Sequence, residues 1–141
     1  MAKKHVFISF DYGHDSEHRD LLNALSSLPN SEVAFEEFNP EETVKKDITE
    51  TREELARRLH QATHMLVIVG SCANKYHKDK DGIGARNWQW LEIQKSEEEG
   101  MGLVAVKIEP TNAWPNPLYG KRPTWAKSFT VDSILAAINS V

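Results

Sequence analysis

Apolar residues fall along this chain in short continuous or alternating runs, and between those runs they recur at three- and four-residue spacing. The runs predict strands and the spacing predicts helices. His5 to Asp11, reading His-Val-Phe-Ile-Ser-Phe-Asp, is rich in β-branched and aromatic residues and is expected to be the first strand. Ser16 stands where a helix cap belongs, Leu21, Leu22, Leu25 and Leu28 recur on one face after it, and Pro29-Asn30 ends that helix. Val33 to Phe38 alternates imperfectly, as suits a partly covered edge strand. From Asn39 to Asp47 the chain is charged and carries Pro40, so a loop is expected before a helix begun by Thr51 and Glu54 in capping-box spacing, with Leu55, Leu59 and Ala62 on its buried face.

The run from His64 to Gly70 contains Met-Leu-Val-Ile-Val without a charge, the mark of a central parallel strand covered on both faces. Residues 75–86 read as a polar loop with Asp-Gly and Gly-Ala turn signals, after which Asn87 caps a helix from Trp88 to about Glu99, stopped by Gly100 and Gly102. Leu103 to Ile108 is a further buried strand, closed by Glu109-Pro110. The stretch from Ala113 to Pro123, with its prolines and aromatics, reads as a surface excursion. Phe129-Thr130-Val131 is expected as a short last strand, followed by a helix capped by Asp132 or Ser133 and buried through Ile134, Leu135 and Ile138.

Strands alternating with helices predict an α/β fold: a five-stranded parallel sheet in a three-layer sandwich, flavodoxin-like, with strand order 2-1-3-4-5. The 141 residues are expected to form one domain, residues 1–141. Ligands of such sheets bind outside the carboxyl ends of the strands, which gathers residues 10–15, 38–43 and 71–76 around one crevice.

Charge and composition narrow the function. Lys and Arg number 17 against 21 Asp and Glu, a formal charge of -4, and the pI is near 5.9, so no nucleic-acid partner is expected. Lys75 to Lys80 is locally basic, but Asp79 and Asp81 are interleaved and make it a solvated loop. Cys72 is the single cysteine, which excludes an internal disulfide and suits a reducing compartment. No run approaches the roughly 18 apolar residues a membrane span needs, so no membrane partner is expected and the location is read as cytoplasmic. His14, His18, His60, His64 and His77 show no ligand spacing, and no metal site is expected. Neither a GxGxxG turn nor a P-loop follows the first strand, so a dinucleotide would have to be held by side chains and loops.

Three segments carry a family resemblance. Val-Phe-Ile-Ser-Phe at 6–10 followed by Asp15, Val-Ile-Val-Gly-Ser at 67–71, and above all Trp88-Gln89-Trp90-Leu91-Glu92-Ile93 resemble the boxes of TIR domains, the last matching the motif around the catalytic glutamate. The chain resembles the small TIR-like proteins of prokaryotes, nearest to the TIR-like component of Thoeris anti-phage systems. Four-residue spacing places Trp88 and Glu92 one turn apart on one helix face. The resemblance implies an NAD glycohydrolase or ADP-ribosyl cyclase, with NAD as substrate and no further cofactor. It implies Glu92 as the catalytic carboxylate, Phe10 and Trp88 flanking the nucleotide, and Asp11, Tyr12 and Ser71 as further substrate contacts. It also implies a cyclic ADP-ribose-type messenger that activates a separate effector protein.

The residues also admit plainer roles. Glu92 could be an ordinary exposed helical glutamate, Phe10 a packing residue, and Asp11, Asp15 and Ser71 helix caps. Cys72 reads as a small packing residue. Trp88 and Trp90 cannot both face the core, so one is available to a partner surface. The competing function is a non-catalytic TIR-like interaction module that self-associates or recruits a partner through its 39–47 loop and exposed aromatics. A phosphoacceptor receiver is disfavoured because Gly70-Ser71 stands where its aspartate belongs. Glutamine at 89, where many TIR domains have cysteine, and the 75–86 and 114–125 segments depart from the family pattern.

Overall fold

In a computed structural model of the chain, residues 4–11, 19–27, 33–40 and 47–141 are described, with Arg19, Leu22 and Ser26 described by backbone alone. Five parallel strands form one sheet: β1 (Lys4–Ser9), β2 (Val33–Glu37), β3 (His64–Val69), β4 (Gly102–Lys107) and β5 (Thr124–Trp125). Their order is β2-β1-β3-β4-β5, as the sequence pattern predicts. The helices are α1 (Arg19–Ser26), α2 (Ile48–Gln61), α3 (Lys80–Ile83), α4 (Trp88–Glu98) and α5 (Val131–Asn139), with a 3₁₀ turn at Asn116–Leu118.

Alternation along the strands divides the core into two layers, because successive side chains leave a strand on opposite faces. Val6, Ile8 and Phe10 join Leu66, Ile68, Val104 and Val106 in one layer, closed by Leu25 of α1 and by Ile134 and Ile138 of α5. Phe7, Met65, Val67, Val69 and Ala105 form the other, closed by Leu55 and Leu59 of α2 and by Leu91 and Ile93 of α4. The central strands are buried on both faces, which is why they read as unbroken apolar runs. β2 and β5 are the two edge strands, and in β2 Val33 is buried and the next four residues are half-covered.

Three boundaries differ from the expectations. α2 begins at Ile48, where the Asp47 carboxylate accepts from the Glu50 N–H at 2.7 Å, ahead of the expected Thr51–Glu54 box. Thr51 is buried in the first turn and Glu54 pairs with Arg57 and Arg58 instead, because an aspartate at the helix entrance already satisfies the free amide. The last strand is Thr124–Trp125, paired with Val104 and Ala105, and not Phe129–Val131. Thr130 is instead the cap of α5, its hydroxyl accepting from the Ser133 N–H at 3.3 Å in place of the predicted Asp132 or Ser133. Residues 75–86 also hold the single turn α3, which buries Ile83 and ends at Gly84 with φ of 84°. The expected cap Ser16 and the helix end at Leu28 to Asn30 lie outside the described residues.

Asn87 caps α4 as predicted, accepting from the Trp90 N–H at 2.9 Å. Its amide also donates to the Ala73 and Lys75 carbonyls, both at 2.9 Å, so one side chain ties the helix start to the loop leaving β3. Asn87→Ala removes a cap and the two amide hydrogen bonds to the Ala73 and Lys75 carbonyls, and it should lower the unfolding free energy by about 1–3 kcal/mol in urea denaturation.

Candidate active site

The buried stripe of α4 comprises Gln89, Glu92, Ile93 and Ser96, at the i, i+3, i+4, i+7 positions of a helix face turned to the core, with Leu91 beside it. Three of those four are polar where a core-facing helix ordinarily carries apolar side chains. The reason lies on the strand opposite. Ser9, the last residue of β1, is fully buried and points into the α4 layer, between Phe7 on its own face and Phe10 on the other.

The Ser9 hydroxyl donates to Glu92 Oε1 at 2.8 Å. Gln89 Nε2 donates to the Ser9 carbonyl at 3.0 Å and to the Ile68 carbonyl at 2.8 Å, so it bridges the ends of the adjacent strands β1 and β3. Gln89 Oε1 is buried and has no hydrogen-bond partner. Ser96 closes its own hydroxyl on the Ile93 carbonyl at 2.6 Å.

Glu92 is 2% exposed. Burial raises its pKa from 4.5 to about 8, and the Ser9 hydrogen bond acts the other way by favouring the charged form. The resting carboxyl is therefore mostly neutral at pH 7, and the expectation of an ordinary exposed glutamate does not hold.

The predicted residues are placed as follows. Glu92 lies at the carboxyl end of β1, where the crevice was expected. Phe10 is 4% exposed and belongs to the α1/α5 layer, on the opposite face of the sheet from Ser9. Trp88 packs half-buried against the α2/α4 layer. Trp90 turns instead to the loop after β3, donating from Nε1 to the Ala73 carbonyl at 3.0 Å and the Asn74 amide oxygen at 3.1 Å. Asp11 is half-buried just beyond β1. Ser71 is exposed after β3, its hydroxyl 3.8 Å from the Cys72 thiol. Tyr12 lies outside the described residues, as does Asp15.

The structure thus sets Ser9 against Glu92 and Gln89 against Ser9: sequence reasoning did not single out Ser9, and it noted Gln89 only as a departure from the family pattern. Both left a signal: a serine interrupts the apolar run Val-Phe-Ile-Ser-Phe, and a glutamine occupies the buried stripe of α4. Among the described residues, no group of three or more His, Cys, Asp or Glu side chains is arranged to hold a metal ion. No described helix is long and apolar enough to cross a membrane.

A parallel 2-1-3-4-5 sheet with a helix-borne acid buried at the end of β1 fits a TIR-like α/β domain. The family model described as Thoeris protein ThsB, TIR-like domain, matches residues 7–113, and the chain belongs to that family. Among solved structures, one titled as the crystal structure of a prokaryotic SEFIR domain is similar with a TM-score of 0.56. The two chains are 14% identical, and the match covers 98% of this chain and 95% of that one, a likeness of fold. No curated protein matches the chain. Membership of the ThsB family associates the chain with a TIR-like role in defence.

The buried acid makes stability depend on pH with a definite sign. A folded-state pKa raised to about 8 from 4.5 contributes stability that is fully present below pH 4.5 and is lost as the pH rises through 8. Glu92→Gln keeps an acceptor for Ser9 and removes the ionisation. The stability difference between Glu92→Gln and wild type should therefore move in the variant's favour by roughly 3–5 kcal/mol between pH 4 and pH 9, read from urea midpoints at a series of pH values.

Proposed function

We propose that this protein is an NAD-processing enzyme of anti-phage signalling, which breaks the nicotinamide–ribose bond and forms a cyclic ADP-ribose-type messenger for a separate effector protein. The observation that carries the reading is a single carboxyl group, Glu92, buried against Ser9 at the carboxyl end of β1 in a chain of the ThsB TIR-like family. Glu92 stands in the Trp-x-x-x-Glu spacing that the family resemblance marks as catalytic.

The chemistry needs one acid and no second. As the bond between the ribose C1′ and the pyridinium nitrogen breaks, its electron pair goes to nicotinamide, which leaves neutral and needs no proton. Positive charge passes to the ribose carbon, and a fixed carboxylate in a water-poor setting stabilises that oxocarbenium-like state more than the ground state. A hydroxyl of the same nucleotide then attacks C1′ and loses its proton, giving a cyclic product; attack by water would give linear ADP-ribose. In this reading Trp88, Asp11, Tyr12 and Ser71 contact the nucleotide, while Phe10, buried in the opposite layer, serves packing, and the reaction takes place in the cytoplasm, where NAD and a reduced Cys72 are both expected.

A second reading, a non-catalytic interaction module, is favoured by Tyr76 and Tyr119, large side chains left 62% and 61% exposed. The two are separated by incubating the purified protein with NAD, alone and with phage-derived lysate as activator, and resolving nicotinamide and the ADP-ribose isomers. The expected result is nicotinamide release with a cyclic isomer as product, reduced by about 10²–10³-fold in Glu92→Gln. Because the charged carboxylate is the reactive form, kcat/KM should rise with pH until the pH passes about 8. A wild-type protein inactive in every condition, or a Glu92→Gln variant as fast as wild type, would overturn the enzymatic reading.

A further inference from the structure

Ser9 meets the candidate acid through its side chain and the neighbouring strand through its backbone. Its hydroxyl donates to Glu92 Oε1 at 2.8 Å, and its carbonyl accepts from Gln89 Nε2 at 3.0 Å. The same Gln89 nitrogen donates to Ile68 at 2.8 Å, so both of its hydrogens are committed to strand ends and the amide orientation is fixed by two carbonyl acceptors. Gln89 and Glu92 lie one turn apart on α4 and converge on one residue of β1. Ser9 is 0% exposed, Glu92 2% and Gln89 4%, so no solvent competes for these bonds. A buried hydroxyl with a held backbone has little freedom, and its direction defines where the carboxyl oxygen must lie.

We propose that Ser9 is a positioning residue for Glu92, aiming the carboxyl from the end of β1 while Gln89 holds Ser9 in register. Its bearing on catalysis rests on the NAD-processing reading above; its effect on the carboxyl itself does not. The groups around the acid leave this task to Ser9. Lys95 of α4 lines a groove with Arg52 and Glu53 of α2, which Glu92 does not line. Asp11 follows β1, and Lys4 and His5 stand at that strand's far end. Among the described residues, the influences on Glu92 are burial and the Ser9 hydroxyl, with no charged side chain beside them. A hydroxyl that donates to a carboxylate stabilises its charged form, so Ser9 also governs how readily the buried acid ionises.

The test uses the full chain with carbon-13 in the glutamate carboxyl groups, the Glu92 resonance being assigned by its loss in Glu92→Gln. Three proteins are titrated without NAD and assayed for nicotinamide release across the same pH range: wild type, Ser9→Ala and Ser9→Thr. Ser9→Ala should raise the Glu92 midpoint by about one pH unit. It should lower kcat/KM by about tenfold or more at pH 7, a deficit that narrows as the pH passes both midpoints but does not close, because the ionised carboxylate has lost its aim. Ser9→Thr keeps the hydroxyl and should hold the wild-type midpoint. A merely structural role for Ser9 would instead give a deficit independent of pH and an unmoved midpoint, and that result overturns the proposal. If Ser9→Ala does not fold, Ser9→Cys, a weaker donor of similar size, takes its place with the same direction expected. If wild type releases no nicotinamide at any pH, the NAD reading falls while the titration still decides the role of Ser9.

Discussion

A carboxyl group buried at the end of a parallel strand has to be supplied with hydrogen bonds, and the way this chain supplies them determines how α4 sits on the sheet. Carbonyls at strand ends have left the ladder and need donors of their own. Gln89 provides them for β1 and β3 together, and Ser9 provides one for Glu92. The helix is therefore docked by directional bonds as well as by Leu91 and Ile93, which pack into the layer below the sheet. Apolar packing alone would tolerate a shift of the helix along the strands. Three short hydrogen bonds, two on Ser9 of β1 and one on Ile68 of β3, do not, since each weakens steeply with distance and angle.

The two-layer division of the core decides which neighbours in sequence become neighbours in space. Ser9 and Phe10 are adjacent, yet their side chains enter opposite layers. The loop after β3 is tied separately. Asn87 holds the Ala73 and Lys75 carbonyls, Asn74 donates to the Trp114 carbonyl at 2.8 Å, and Arg86 lies between the rings of Tyr76 and Trp90, 4.3 and 4.4 Å from their centroids. Through Asn74 the excursion that begins near Trp114 is anchored to the segment beside Ser71, and Trp114 in turn stacks on Tyr119 and meets Trp125 of the edge strand. The aromatic residues of the 114–125 segment thus brace the carboxyl-end loops and the edge of the sheet.

Most of the architecture was legible because buried parallel strands leave an unmistakable trace. His64 to Gly70 and Leu103 to Ile108 are apolar on both faces, and Asn87 sits where a cap must sit, so β3, β4 and α4 follow from pattern alone. β5 was missed because two residues carry no periodicity; Thr124 and Trp125 become a strand only by pairing with β4. The α2 entrance was displaced by one turn because two capping signals, Asp47 and Thr51, compete in adjacent turns, and local sequence does not rank them. At the candidate site, Glu92 was singled out by the family resemblance of the Trp88–Ile93 segment, whereas Ser9 was visible only as a polar interruption of an apolar run and Gln89 only as a departure from the family pattern. Their meaning is a tertiary one: each explains the other once β1 and α4 are in contact.

In the NAD-processing reading, burial and reactivity of the acid work together. A neutral Glu92 can remain in the interior at little cost, which a permanently charged group could not. The pyridinium ring of NAD carries a positive charge, and its arrival beside the acid would favour loss of the proton, so the carboxylate would form where and when a cation is present. From then on the positive charge only moves, from the ring nitrogen to the ribose carbon. Rate acceleration depends on the carboxylate lying closer to the second position than to the first, since equal attraction to both would bind substrate without lowering the barrier. That is a demand on direction more than on strength. An acid held by a buried hydroxyl on a strand end, with that strand fixed to its neighbour by an amide, has its direction set before any nucleotide enters.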